Sequence, residues 1–161
     1  MRKIMFIAAV LLIALSLFGC DMINNTLPDE NASVGDKVTS DDSAVKNDEA
    51  ITVIEATATS LKVKMVNNTD STWQSGNMRD YRLETERDGE WYEVKQVGEF
   101  ANTMELMLFA PGQELAHTFE FKDRYGQLTP GKYRVVKSFW ANATENAEAH
   151  ELIVTCEFTV E

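Results

Sequence analysis

Cys20 is the residue of this chain with the clearest chemical assignment. It closes the run Leu17-Phe18-Gly19-Cys20, and a thiol that follows a small residue at the end of a short apolar segment is placed for cleavage and acylation during export. The other residues capable of chemistry do not assemble. The histidines are His117 and His150 and the second thiol is Cys156, whereas a zinc site needs about four N, S or O ligands at compatible spacing. Ser71, Ser75 and Ser138 lack the Gly-x-Ser-x-Gly setting that exposes a nucleophile on a sharp turn, and no glycine-rich loop could cradle a phosphate. Carboxylates are plentiful, but Glu84 and Glu86 alternate beside Arg82 and Arg87, the pattern of a charged strand face turned to water. The oxygen-rich stretches at 67–70 and Asp41-Asp42 leave weak calcium binding open, though neither has the EF-hand spacing. No catalytic residue, metal site or cofactor is expected, and the chain does not read as an enzyme.

The segment before Cys20 supplies the rest of an export signal. Arg2 and Lys3 precede an apolar stretch from Ile4 to Phe18, too short to cross a bilayer comfortably, so residues 1–19 read as a lipoprotein signal peptide. The pattern of leucine, two small or apolar residues and cysteine resembles the lipobox, with Phe18 bulkier than usual. An ordinary signal cleaved elsewhere, or an uncleaved anchor helix, would leave the remainder in the same compartment. Each buried methylene of an acyl chain contributes about 0.8 kcal/mol, and two or more chains anchor stably where one does not. The expected partner is therefore the lipid bilayer, through acylated Cys20, and the expected place the extracytoplasmic face of the cell membrane. Asp21, next in line, resembles an inner-membrane retention signal in a two-membrane bacterium and carries no address in a one-membrane one.

Loss of residues 1–19 leaves 13 Lys and Arg against 26 Asp and Glu, a formal net charge of -13 in place of -11. That balance disfavours nucleic acid and anionic polymers, whose binding needs clustered cations to displace counterions. Residues 20–50 have no aromatic side chain and carry eight acidic and two basic groups after Cys20; so polar a stretch reads as a disordered acidic linker. As a flexible coil it would span about 30 Å.

Residues 51–161 show short alternating runs separated by turn residues and no sustained 3.6-residue period, which predicts an all-β domain. Strands are predicted over 51–57, 59–67, 79–87, 90–97, 104–109, 115–121, 131–140 and 151–160. Asp88-Gly89 supplies the positive-φ pair of a tight hairpin, and Pro111-Gly112 marks another turn. Leu128-Thr129-Pro130-Gly131-Lys132-Tyr133 places a tyrosine just after a turn, near the start of a late strand. That is the setting of a tyrosine corner, and about seven or eight strands with it predict an immunoglobulin-like antiparallel β-sandwich of Greek-key type. Cys156 falls on the apolar side of Leu152, Val154, Phe158 and Val160, so it is expected to point inward as a small hydrophobe. If Cys20 is acylated, no internal disulfide can form.

The segment Tyr81-Arg82-Leu83-Glu84, then Asp88-Gly89-Glu90-Trp91, Pro111-Gly112 and Leu128 to Lys137, resembles the bacterial Ig-like domain of small Gram-positive surface lipoproteins. The likeness covers nearly all of residues 51–138. Its motifs are structural, so it implies a fold and surface display and transfers no active site. One departure is Trp73-Gln74-Ser75-Gly76, where the family often has a Tyr-Gly pair.

Recognition is the function left. Trp73 and Met78 precede the hairpin and Trp140 borders the long connection from Asn142 to His150; loops on a rigid sandwich carry binding, and large aromatics anchor interfaces. These three are the candidate contact residues of a surface interaction module whose partner is an envelope protein or a glycan. The alternative is an inhibitor or accessory of a secreted protease or other hydrolase. Replacing Cys20 by serine is expected to abolish incorporation of labelled palmitate and move the protein out of the membrane fraction; incorporation that persists in the serine variant would overturn the anchor.

Overall fold

The computed structural model describes residues 32–39, 45–98 and 105–161; Cys20 and the signal segment lie outside them. Eleven strands follow one another among the described residues: β1 (Ser33–Lys37), β2 (Val45–Lys46), β3 (Ile51–Ala56), β4 (Ser60–Val66), β5 (Trp73–Ser75), β6 (Arg82–Arg87), β7 (Glu90–Lys95), β8 (Met107–Phe109), β9 (Glu114–Glu120), β10 (Gly131–Ala141) and β11 (His150–Val160). A one-turn helix, α1 (Lys122–Tyr125), links β9 to β10. The larger sheet runs β1-β7-β6-β10-β11-β2, with β5 and β8 continuing it beside the far half of β10. The second sheet is β3-β4-β9.

Alternation makes the sandwich. On β4, Leu61, Val63 and Met65 are fully buried while Lys62 and Lys64 are exposed, the signature of a strand with one face on a core. Opposite them, Leu83, Val135 and Val154 are also fully buried. The β6–β7 hairpin turns through Asp88 (φ 54°) and Gly89 (φ 81°), the left-handed pair that a two-residue turn needs to match strand twist. Pro111-Gly112, by contrast, joins strands of different sheets, because β8 pairs with β5 and β9 with β4. At the start of β10 the Tyr133 hydroxyl donates to the Thr129 carbonyl at 2.8 Å, which is the expected tyrosine corner.

Two expectations are corrected. The disordered linker does not run to residue 50: β1 pairs antiparallel with β7, β2 pairs parallel with β11, and residues 48–50 form a 3-10 turn that buries Ala50. These strands are short and polar and take their order from edges already present, so they show no alternation of their own. Trp73 is not a loop residue offered to a partner. It opens β5 with no exposed surface, packs edge-on against Phe109 at 5.7 Å and obliquely on Phe139 at 5.4 Å, and donates its indole N–H to Thr69 Oγ1 at 2.8 Å. Removing a buried aromatic of this size costs about 3–5 kcal/mol. Trp73→Ala is expected to lose that much in urea unfolding; a loss under about 1 kcal/mol would show that the ring is not a core element.

Candidate recognition face

Inward-facing positions of β10 are Tyr133, Val135, Lys137, Phe139 and Ala141, all buried. Lys137 is the surprise, a lysine only 1 % exposed. Its ammonium lies 5.4 Å from the Phe139 ring centroid and donates to Ser75 Oγ. Burial pulls its pKa down to about 8, with Asp80 opposing and Arg124 adding to the shift. A serine beside a lysine of lowered pKa is the makings of a nucleophile and its base, but the hydrogen bonds run the wrong way. Ser75 donates its own proton to the Ser138 carbonyl at 3.2 Å while it accepts from the lysine, and Ser75 itself is only 8 % exposed. The pair is therefore a buried cation satisfied by a hydroxyl. His117, on β9, packs edge-on against Phe119 at 4.7 Å, and burial, with the Lys137 charge, lowers its pKa. Cys156 is buried as expected, and desolvation lifts its thiol to about 11, the opposite of a reactive setting.

On the outer face of the larger sheet, the expectation that Glu84 faces water is corrected. It has no exposed surface, because Arg82 Nε and Arg134 Nε each reach one of its carboxylate oxygens at 2.6 Å. Trp91 covers this cluster, with the Arg134 guanidinium 4.2 Å from its ring centroid, a cation–π contact. The sequence shows Arg82 two residues away on the same strand, but not Arg134, the cross-strand cation that closes over the carboxylate from β10. A cleft of about 430 Å³ opens beside it, between Asp36–Thr39 on one side and Lys46 and Asp48 on the other. Its charges are of both signs, and residues 40–44, which join its two walls, lie outside the described residues.

The three candidate contact residues separate. Trp73 is in the core, and Met78 is half-buried against it. Trp140 alone of the three is outside, half exposed on the outer face of β10. Register then gathers its neighbours: Trp140 is paired with Glu151 on β11 and Gln74 on β5, and Gln74 with Leu108 on β8. Because directly paired residues point to the same side of a sheet, Glu151, Trp140, Gln74 and Leu108 form one row across four strands. Leu108 is 56 % exposed. Just beyond Trp140, Asn142 accepts the Gln74 amide on its side-chain oxygen, and its backbone N–H donates to the Thr72 carbonyl at 3.0 Å. Leu108 and Gln74 were not expected at the site; only the pairing of β5 with β8 reveals them.

Two facing sheets, a tyrosine corner and a hairpin of this geometry define an immunoglobulin-like β-sandwich. The family model of the bacterial Ig-like domain matches residues 29–152, and the chain belongs to that family. The match begins ahead of β1, in accord with the early start of the folded domain. No curated protein and no solved structure gives a significant match.

The buried amine makes stability depend on pH with a definite sign. Since the folded-state pKa of Lys137 lies below the unfolded value of 10.5, the unfolded chain binds the extra proton and the amine's contribution to stability rises as pH climbs from about 8 to above 10, whereas the raised Cys156 thiol subtracts stability as pH climbs above its usual 9.0. His117, also depressed, adds a loss of stability as pH falls through and below its usual 6.5. Lys137→Met is expected to flatten the alkaline rise and to stabilise the protein at pH 7 by about 2–3 kcal/mol. Denaturant midpoints of the native protein and the variant at pH 7 and pH 9, below the range in which the Cys156 thiol opposes most strongly, test this, and an alkaline rise that is equal in the methionine variant would assign it to another group.

Proposed function

We propose that the chain is a membrane-anchored surface lipoprotein whose Ig-like domain is a non-catalytic interaction module, and that its contact face is the row centred on Trp140. The observation that carries this reading is the fate of the tryptophans. Trp73 is consumed by the core and Trp91 by the arginine cluster, while Trp140 is left half exposed on the longest hairpin of the fold. A large aromatic held rigidly at a surface loses little entropy on binding, which is why such residues dominate interface energetics. Leu108 lies in the same row beyond Gln74, so two exposed apolar side chains share this face of the sheet.

Support for the anchor is the pattern ending at Cys20 and the export signal before it. Support for a non-catalytic role is the scaffold, together with the direction of the Ser75 hydrogen bonds. Among the described residues, Ala32 is bonded to Gln127 and leads into β1 beside β7, three strands from β10. Trp140→Ala in the full chain is expected to reduce recovery on isolated envelope material by about tenfold, a typical cost for truncating an anchoring aromatic, with the unfolding midpoint unchanged. Undiminished recovery would place the contact elsewhere.

A further inference from the structure

The chemistry of the row narrows its ligand, and this step rests on the reading of Trp140 as the centre of a contact face. We propose that the face is a platform for a neutral polysaccharide chain, with the Trp140 indole stacked on the C–H face of a sugar ring and the carboxamides of Gln74 and Asn142 hydrogen-bonded to its hydroxyls.

Three observations lead there. The first is the order of side chains. Trp140 and Leu108 are separated in the row by the amide of Gln74, so the apolar surface is broken by a polar group. Protein interfaces place a contiguous apolar core inside a polar rim; a sugar chain presents alternating apolar C–H faces and hydroxyl edges and matches a broken row better. The second is preorganisation. Gln74 and Asn142 are tied to each other, and Asn142 is tied by its backbone to Thr72, so the two planar amides are held beside the ring before a ligand arrives, which lowers the entropic cost of binding. Each amide still has donors and acceptors to offer after their mutual bond. The third is charge. The row contains a carboxylate, Glu151, and no cation, and the whole chain carries a net charge of -11. An anionic polymer would meet repulsion at the face and from the molecule behind it, whereas a neutral chain meets none and can donate a hydroxyl to Glu151.

Affinity electrophoresis of the full chain in detergent, through gels containing a neutral glucan, mannan or galactan, or an anionic polygalacturonate, tests the proposal. At least one neutral gel should retard the native protein and the anionic gel should not. Trp140→Ala should weaken retardation by about tenfold and Gln74→Ala measurably, while Trp140→Phe retains part of it, as expected for stacking on a ring face. Unfolding midpoints of all three variants should match the native protein, which separates loss of ligand from loss of fold. Absence of retardation in every neutral gel, or retardation in only the anionic one, overturns the polysaccharide. Envelope material treated in parallel with periodate or protease distinguishes the two levels of the argument. Trp140-dependent binding that survives periodate and is lost to protease leaves the contact face standing and makes its ligand a protein; binding that Trp140→Ala never alters removes the face itself.

Discussion

The register of β10 against β11 is the constraint on which the rest of the structure depends. Eleven consecutive residue pairs, from Gly131 with Val160 to Ala141 with His150, run without a bulge. Side chains alternate with a period of two, so a slip of one residue would drive Arg134 and Trp140 into the core and expel Val135 and Phe139. Nothing within the strand forbids such a slip as firmly as the tyrosine corner does. Tyr133 is held to the Thr129 carbonyl at 2.8 Å, and its ring lies 5.8 Å from Phe158, nearly parallel. Once Tyr133 is inside, parity places Lys137 inside and Trp140 outside.

That parity puts Lys137 inside the sandwich, and it and two further buried polar groups, Asn67 and Glu84, are satisfied locally. Lys137 has the Ser75 hydroxyl. Asn67, with no exposed surface, donates to the carbonyls of Ser71 and Phe109 at 2.8 and 2.7 Å and accepts from Thr69 N–H and Oγ1 at 3.1 and 2.8 Å. Its hydrogen-bonding capacity is filled. The same bonds shape the turn from which Trp73 enters the core, and Thr69 Oγ1 completes the arrangement by accepting the indole N–H. On the outer face, Glu84 is matched by two guanidinium groups, a geometry in which the pair balances its desolvation instead of adding much to stability. Its effect is to lock β6 to β10 and to give Trp91 a cation to cover.

What the sequence made legible divides along the range of the interactions. Local signals were sufficient for the hairpin at Asp88-Gly89, the inward Leu61, Val63 and Met65, the buried Cys156 and the tyrosine corner, because alternation and turn chemistry act within a few residues. Non-local pairing was not legible. Trp73 follows a run of turn residues and so resembles a loop aromatic; its burial depends on β8 and on Phe139, far away in sequence. Glu84 obeys the alternation that predicts exposure, and only Arg134, fifty residues on, overrides it. The strands β1 and β2 carry almost no apolar signal because they complete edges. Trp140 was found, but its companions Gln74 and Leu108 become neighbours only through sheet registers that no single segment encodes.

The early strands also change the scale on which recognition works. β1 and β2 occupy opposite edges of the larger sheet, and covering an edge removes a template for unwanted pairing. They thereby bind into the fold much of the stretch that composition alone assigns to a tether. With Cys20 acylated as proposed, the chain between the anchor and the first described residue is residues 21–31. Whatever its conformation, a segment of that length spans at most about 40 Å. The domain is then held near its bilayer; Ala32 is bonded to Gln127 near the start of β10 and Trp140 lies near the far end of that strand, which adds about 30 Å at about 3.3 Å per residue, so the face can meet only a ligand that comes within about 70 Å of the bilayer. An immobile polymer threaded near the membrane satisfies this condition continuously, whereas a ligand confined to the outer boundary of a thick wall does not. The short reach and the cation-free, amide-flanked aromatic row are thus each compatible with the partner proposed above.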